Sequence, residues 1–190
     1  FVVLDELIKT SDVQVDDEER AIYVELLCDS APHRVHAYLA SHDGYDVDAT
    51  LELCRRHRID DATALLLEEK GDAPGALDLI LKGLGKRFEV LRDAARSKLQ
   101  VTEAEADLRA SVAAATRLCS RRSEDHESRR AWFSTLDALL EAQRSLKLSR
   151  ELPSTASQVR AVARDLARSY LTAAADRVPL RDVVSKLFKD

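Results

Sequence analysis

Five residues of this chain carry the ligand chemistry that a soft metal ion needs: Cys28, His33, His36, Cys54 and His57. Cys28 stands near both histidines of the following segment, and Cys54 and His57 are three apart, one turn of a helix. Zinc sites, however, draw on paired short spacings set on knuckles or loops. No Cys-x2-Cys occurs anywhere in the chain. The reading is therefore buried thiols beside surface histidines, and no metal site is expected. The three cysteines, Cys28, Cys54 and Cys119, are odd in number and widely spaced, which fits reduced thiols in a cytosolic helical protein better than a disulfide framework.

Phosphate chemistry is suggested by Gly83-Leu84-Gly85-Lys86. A phosphate loop needs a glycine five residues before its Gly-Lys pair and a hydroxyl residue after it. Here Ile80 and Arg87 occupy those positions and no strand precedes, so the segment reads as a helix break. Paired carboxylates occur at Asp60-Asp61 and Glu68-Glu69. Acid–base work would require a desolvated cleft and a neighbour that shifts their pKa. Asp60 and Asp61 sit where a helix start explains them. Glu68 and Glu69 fall in a last turn, where each opposes the helix dipole by about 0.3–1 kcal/mol. Either solvent exposure or a contact with a basic partner accounts for them, so Glu68 and Glu69 are the candidate partner-contact residues. Arg117, Arg121, Arg122, Arg129 and Arg130 could contact phosphates, but Glu124, Asp125 and Glu127 lie among them and the net charge is −5. A nucleic-acid surface is normally a purer basic stripe. No catalytic residue, no cofactor and no nucleic-acid partner are expected.

These side chains must be positioned by helices. Few Gly, Pro and Phe occur among abundant Ala, Leu, Arg, Asp and Glu, and 45% of the residues are hydrophobic, a balance typical of an all-α chain. Four acids at 16–19 precede the apolar run 21–27, as suits a helix N-terminus. Pro32 suits the first turn of a second helix, 32–40, which Gly44 stops. Asp46 can cap a third, with Val47, Leu51 and Cys54 on one face. Asp60 caps a fourth that runs to Lys70, and Gly71 supplies its left-handed close. Asp72 caps a fifth through a bond to the Gly75 N–H, because Pro74 has no N–H to offer; that helix reaches the break at 83–85. Further along, Thr102 and Glu105 form a capping box, residues 120–128 form a corner, and Trp132 to Leu140 is helical. Residues 148–157, with Pro153, read as a loop before a helix over 159–170. Pro179 opens a last helix ending at Leu187-Phe188.

Helices of about ten residues are too short to stand alone and must bury a face on their neighbours. Stacked helical hairpins satisfy this, so the expected architecture is an α-solenoid of about 8–10 helices spanning 1–190 as one segment, with short hairpins over 16–83 and longer helices over 84–190. Its structural corners are Pro32, Gly44, Gly71, Asp72, Pro74, Gly75 and Pro179. Residues 1–95 hold 11 Lys/Arg against 21 Asp/Glu, and residues 96–190 hold 18 against 13. That asymmetry reads either as an acidic and a basic end or as two differently decorated solvated faces. Phe1 at the start and the absence of Met predict an internal piece of a longer chain. Neither a membrane span nor a signal peptide is predicted.

Several stretches resemble a known family. They are Tyr23-Val24-Glu25-Leu26-Leu27-Cys28, His33-Arg34-Val35, Tyr38-Leu39, Leu53-Cys54-Arg55-Arg56-His57, and the run from Asp61 to Asp72 with Gly75-Ala76-Leu77. Trp132-Phe133, Leu136 to Leu140 and Val178 to Val184 agree with them. Together they resemble the clathrin-heavy-chain-type repeat of vacuolar sorting tether subunits, and most of all the vacuolar protein sorting-associated protein 8 family. The resemblance covers about 60 residues well and most of the remainder loosely; the stretch 97–130 departs most from it. It implies a later solenoid segment of a subunit of CORVET, an early-endosomal tethering complex. It implies a non-catalytic scaffold acting in vesicle-mediated transport to the endosome, vacuole or lysosome, cytoplasmic and peripheral on early endosomes. Other tether subunits are the implied partners. The Rab GTPase contacts of that family's β-propeller and the zinc of its RING-like domain carry over to no residue here, so Rab and membrane would be reached only through other parts of the parent protein. A clathrin-like coat or adaptor piece would share the fold, and a helical GTPase-regulating module is the rival from another class; the latter should show one deep pocket of converging polar groups.

Overall fold

The computed structural model describes residues 17–121, 126–145, 153–175 and 177–187, and among them every regular element is a helix. In chain order these are α1 (Asp17–Ser30), α2 (Pro32–Ser41), α3 (Val47–Arg56), α4 (Asp60–Glu69), α5 (Ala73–Ser97), α6 (Val101–Ser120), α7 (His126–Ser145), α8 (Pro153–Ala175) and α9 (Leu180–Leu187). The fold class is thus all-α. The internal contacts group into two compact units that divide between Leu79 and Ile80, within α5.

In the first unit α1 packs on α2 and α3, α2 on α4, and α3 on α4. Each helix gives its apolar stripe to a shared core: Tyr23, Val24, Leu27 and Cys28 from α1, Val35 and Leu39 from α2, Leu51 and Cys54 from α3, Ala62, Leu66 and Leu67 from α4. Burying a leucine or valine in this way is worth about 1.5–3 kcal/mol each, which is what holds ten-residue helices in place. α3 starts where the Asp46 carboxylate accepts from the Asp48 and Ala49 N–H groups at 2.9 and 3.0 Å. α4 differs from expectation: its N-cap is Ile59, with no side-chain cap bond, and Asp60 and Asp61 lie in the first turn, where their charge meets the positive helix end.

In the second unit α6, α7 and α8 pack on one another. Leu108, Val112, Leu118, Trp132, Leu136, Val159, Leu166 and Tyr170 form its core. The Tyr170 hydroxyl donates to the Trp132 carbonyl at 2.7 Å, and the two rings lie 5.2 Å apart between centroids.

Three further local expectations are corrected. The break at Gly83-Leu84-Gly85 does not occur, because α5 runs through it. Each glycine costs the helix about 1 kcal/mol, but Leu84, Phe88 and Leu91 are all buried along that stretch. Gly83 also has a steric use: a Cβ there would stand 2.2 Å from Nη1 of Arg87, whose guanidinium reaches Asp107 on α6 at 3.3 Å. The capping box is absent too. α6 begins at Val101, with Gln100 as a left-handed N-cap at φ 53°, and Glu105 instead takes two hydrogen bonds from Arg109 one turn on. Finally, residues 153–157 of the expected loop are helical. Pro153 occupies the first position, where its missing N–H costs nothing, and Thr155 and Ala156 are buried. Residues 148–152 of that loop, and 122–125 of the expected corner after α6, lie outside the described residues.

Candidate functional site

The corner between α4 and α5 gathers most of the residues singled out above. α4 ends on Lys70, and Gly71 follows at φ 82°. The Asp72 N–H donates to the Leu67 carbonyl at 2.8 Å and the Gly71 N–H to the Glu68 carbonyl at 3.1 Å. Those two bonds make a Schellman close, which satisfies carbonyls the helix leaves open. Asp72 then starts α5, its Oδ1 accepting from the Gly75 N–H at 2.9 Å. A Cβ on Gly75 would lie 2.4 Å from that carboxylate, so glycine lets the cap close this tightly. Pro74 is the second residue of α5.

One acid beside this corner, Glu69, is tied into the fold. The Tyr45 hydroxyl donates to Glu69 Oε1 at 2.9 Å. Burial, and then that bond to a carboxylate, holds the Tyr45 hydroxyl above the ordinary tyrosine range. Lys70 pairs with Asp48 in the first turn of α3. Glu68 is half-buried and Glu69 exposed. One corner thereby grips the start of the neighbouring hairpin through an ion pair and a tyrosine.

The remaining corner residues lie at helix ends. Pro32 opens α2, Gly44 sits at φ 85° between α2 and α3, and the Pro179 carbonyl accepts from the Asp182 N–H at 2.8 Å as α9 begins. Sequence reasoning missed a further corner, at the end of α3. There Ile59 N–H donates to the Cys54 carbonyl at 2.9 Å and Arg58 N–H to the Arg55 carbonyl at 3.1 Å. This repeats the Schellman pattern with Arg58, at φ 56°, in the glycine position. An arginine gives no signal for a left-handed residue; only its place between two apolar stripes could have hinted at it.

The soft-ligand set does not converge. Cys28 and Cys54 are buried on α1 and α3, and the hydrogen bond that the Cys54 thiol donates to Cys28, and then burial, push the Cys54 thiol up. His33 and His36 are exposed on α2, and His57 lies 3.6 Å from Asp29. Among the described residues no three His, Cys, Asp or Glu side chains are grouped so as to hold a metal ion. Gly83 to Lys86 lies within a helix, so its backbone N–H groups form no phosphate cradle. Of the arginines, Arg129 and Arg130 line an open groove of about 430 Å3 in the second unit with Phe133, Ser134, Asp137 and Asp182. Its charges are of both signs, unlike a phosphate-tracking surface. The groups with displaced pKa, Tyr38, Tyr45, Tyr170 and the thiols Cys28 and Cys54, lie elsewhere. Among the described residues no helix is long and apolar enough to cross a membrane.

No protein-family model matches the chain, and no solved structure matches it. Among curated proteins, the mouse vacuolar protein sorting-associated protein 8 homolog is 28% identical over 174 residues. The match spans 88% of this chain and 12% of the mouse protein's length. The likeness therefore runs through both compact units rather than stopping at the α4–α5 corner.

Proposed function

We propose that this chain is a non-catalytic scaffold segment of an endosomal membrane-tethering subunit, acting in vesicle-mediated protein transport to the endosome, vacuole or lysosome. The observation that carries the proposal is the likeness, over nearly the whole chain, to a protein named for vacuolar sorting. The packing of the first unit supports the architecture: α1 lies on α3 and α2 on α4, the neighbour-on-neighbour order of stacked helical hairpins. On this reading residues 1–190 form one stretch of α-solenoid, cytoplasmic and peripheral on early endosomes. Pro32, Gly44, Gly71, Asp72, Pro74, Gly75 and Pro179 shape its corners, and it contributes no catalytic residue and no cofactor.

Its work is to hold other domains at a set distance and to offer a long surface to other tether subunits. Glu68 and Glu69 are the residues we assign to such a contact. Contact with Rab GTPases and membrane belongs to parts of the parent protein outside the segment. The test is affinity purification of the full-length parent from cells. It should co-purify with other subunits of a sorting complex, the yield should fall with Glu68→Lys and Glu69→Lys, and the purified protein should hydrolyse no nucleotide. Purification without such subunits, or nucleotide turnover that follows the protein through purification, would refute the reading.

A further inference from the structure

Helix α1 carries an apolar stripe and, on its other side, an exposed apolar pair. Tyr23, Val24, Leu27 and Cys28 are buried against α2 and α3, while Ile22 is 58% exposed and Leu26 41% exposed, one turn apart on the opposite side. A surface helix normally has one such stripe, and the pair on the other side of α1 is left exposed by the packing of its unit. Glu18, Glu25 and Asp29 fall on the same side as Ile22 and Leu26 by helical spacing, and all three are exposed. The single base of α1, Arg20, lies on the other side and donates to the Asp43 carbonyl. His57 lies 3.6 Å from Asp29 at the end of this face.

We infer that this face docks a basic amphipathic helix of another protein, one that sets two aliphatic side chains between Ile22 and Leu26 and flanks them with lysine or arginine. Charge decides the occupant. Glu18, Glu25 and Asp29 around an apolar pair oppose an acidic ligand and draw a cationic one, in the helix-on-helix mode that reads residues at i and i+4. The chain's own residues 1–16 fit poorly, since they hold Asp5, Glu6, Asp12 and Asp16 against Lys9 alone. The inference goes beyond the sorting reading and stands independently of it, because it names the chemistry of a ligand and not a complex.

The test uses the full-length protein and two synthetic helical peptides with the same Leu pair at i and i+4, one flanked by Lys and Arg and the other by Glu, read by fluorescence anisotropy. The basic peptide should bind saturably, weaken about tenfold between roughly 50 and 300 mM salt, and weaken about tenfold in Ile22→Ser with Leu26→Ser. Both side chains are solvent-exposed, so helix content should not change. Glu18→Lys with Glu25→Lys should transfer the preference to the acidic peptide. Equal binding of the two peptides, or an unchanged affinity of the serine variant, overturns the proposal. Self-association that the serine variant abolishes assigns the face to a second copy instead, and overturns it too. So does slow maleimide labelling of Ile22→Cys relative to Leu99→Cys, read on each cysteine's own tryptic peptide by mass spectrometry, which would show the protein covering its own face.

Discussion

Two helix ends, at Arg58 and Gly71, use one hydrogen-bond pattern with different residues in the left-handed position, and exchanging the residue types should move stability in opposite directions. Gly71 sits at φ 82°, and a Cβ there would meet nothing within 4 Å. The cost of Gly71→Ala is therefore conformational rather than steric. An L-residue pays about 1–2 kcal/mol in this region, and about 0.4–1 kcal/mol returns because alanine restricts the unfolded chain. The net loss is about 1 kcal/mol. Arg58, at φ 56° and exposed, already carries that strain. Arg58→Gly releases about 1–2 kcal/mol and gives back about 0.5–1 kcal/mol to glycine's greater freedom when unfolded. The net gain is about 0.5–1 kcal/mol. Thermal and urea denaturation followed by far-ultraviolet circular dichroism should separate the two variants by roughly 3–8 °C, given about 2–4 °C per kcal/mol for a chain of this size. A melting temperature unchanged by Gly71→Ala, or lowered by Arg58→Gly, would refute the shared left-handed geometry.

Further outcomes follow from the second unit and the tyrosines. Gly85→Ala should stabilise by about 1 kcal/mol, because it lies within a helix with open space around it; Gly83→Ala should gain less, since its Cβ displaces the Arg87 guanidinium. Urea titration checks both, and destabilisation by Gly85→Ala would restore the helix break. Tyr170→Phe should cost about 0.5–1.5 kcal/mol through loss of the bond to the Trp132 carbonyl. Burial holds the Tyr170 hydroxyl above the ordinary range, so the folded protein keeps that proton where the unfolded chain has lost it. The linked stability is full below about pH 10 and falls as pH rises above it. Tyr170→Phe and Tyr45→Phe should each flatten this alkaline decline, and an unflattened curve would sink the assignment.

What could be read from the residues was what depends on short-range pattern. Leu51 and Cys54 on one face, Asp46 as a cap, and the apolar spacing through Val159, Val162, Leu166 and Tyr170 all reflect side chains meeting within a turn or two. The rest depends on partners distant in sequence. Gly83 and Gly85 look like a break until Phe88 and Leu91 are seen buried and Arg87 is seen reaching Asp107. Thr102 and Glu105 look like a cap until Glu105 is seen holding Arg109. The grip of Glu69 and Lys70 on Tyr45 and Asp48 joins residues more than twenty positions apart, which no local pattern encodes. Left-handed corners at Arg58, Lys98 and Gln100 were equally hidden, since the chain has no asparagine and places them on residues without a conformational signature.

The pairing of Trp132 with Tyr170 has an optical consequence. The chain has one tryptophan, sealed in the core of the second unit with a tyrosine ring at 5.2 Å, whereas Tyr23, Tyr38 and Tyr45 belong to the first. Excited at its red edge, the protein should emit blue-shifted light that reports on one unit alone, while tyrosine absorbance, with three of the four phenols in the first unit, is weighted toward its companion. The molecule thus carries a built-in pair of labels with which the melting of each half can be watched without adding a dye.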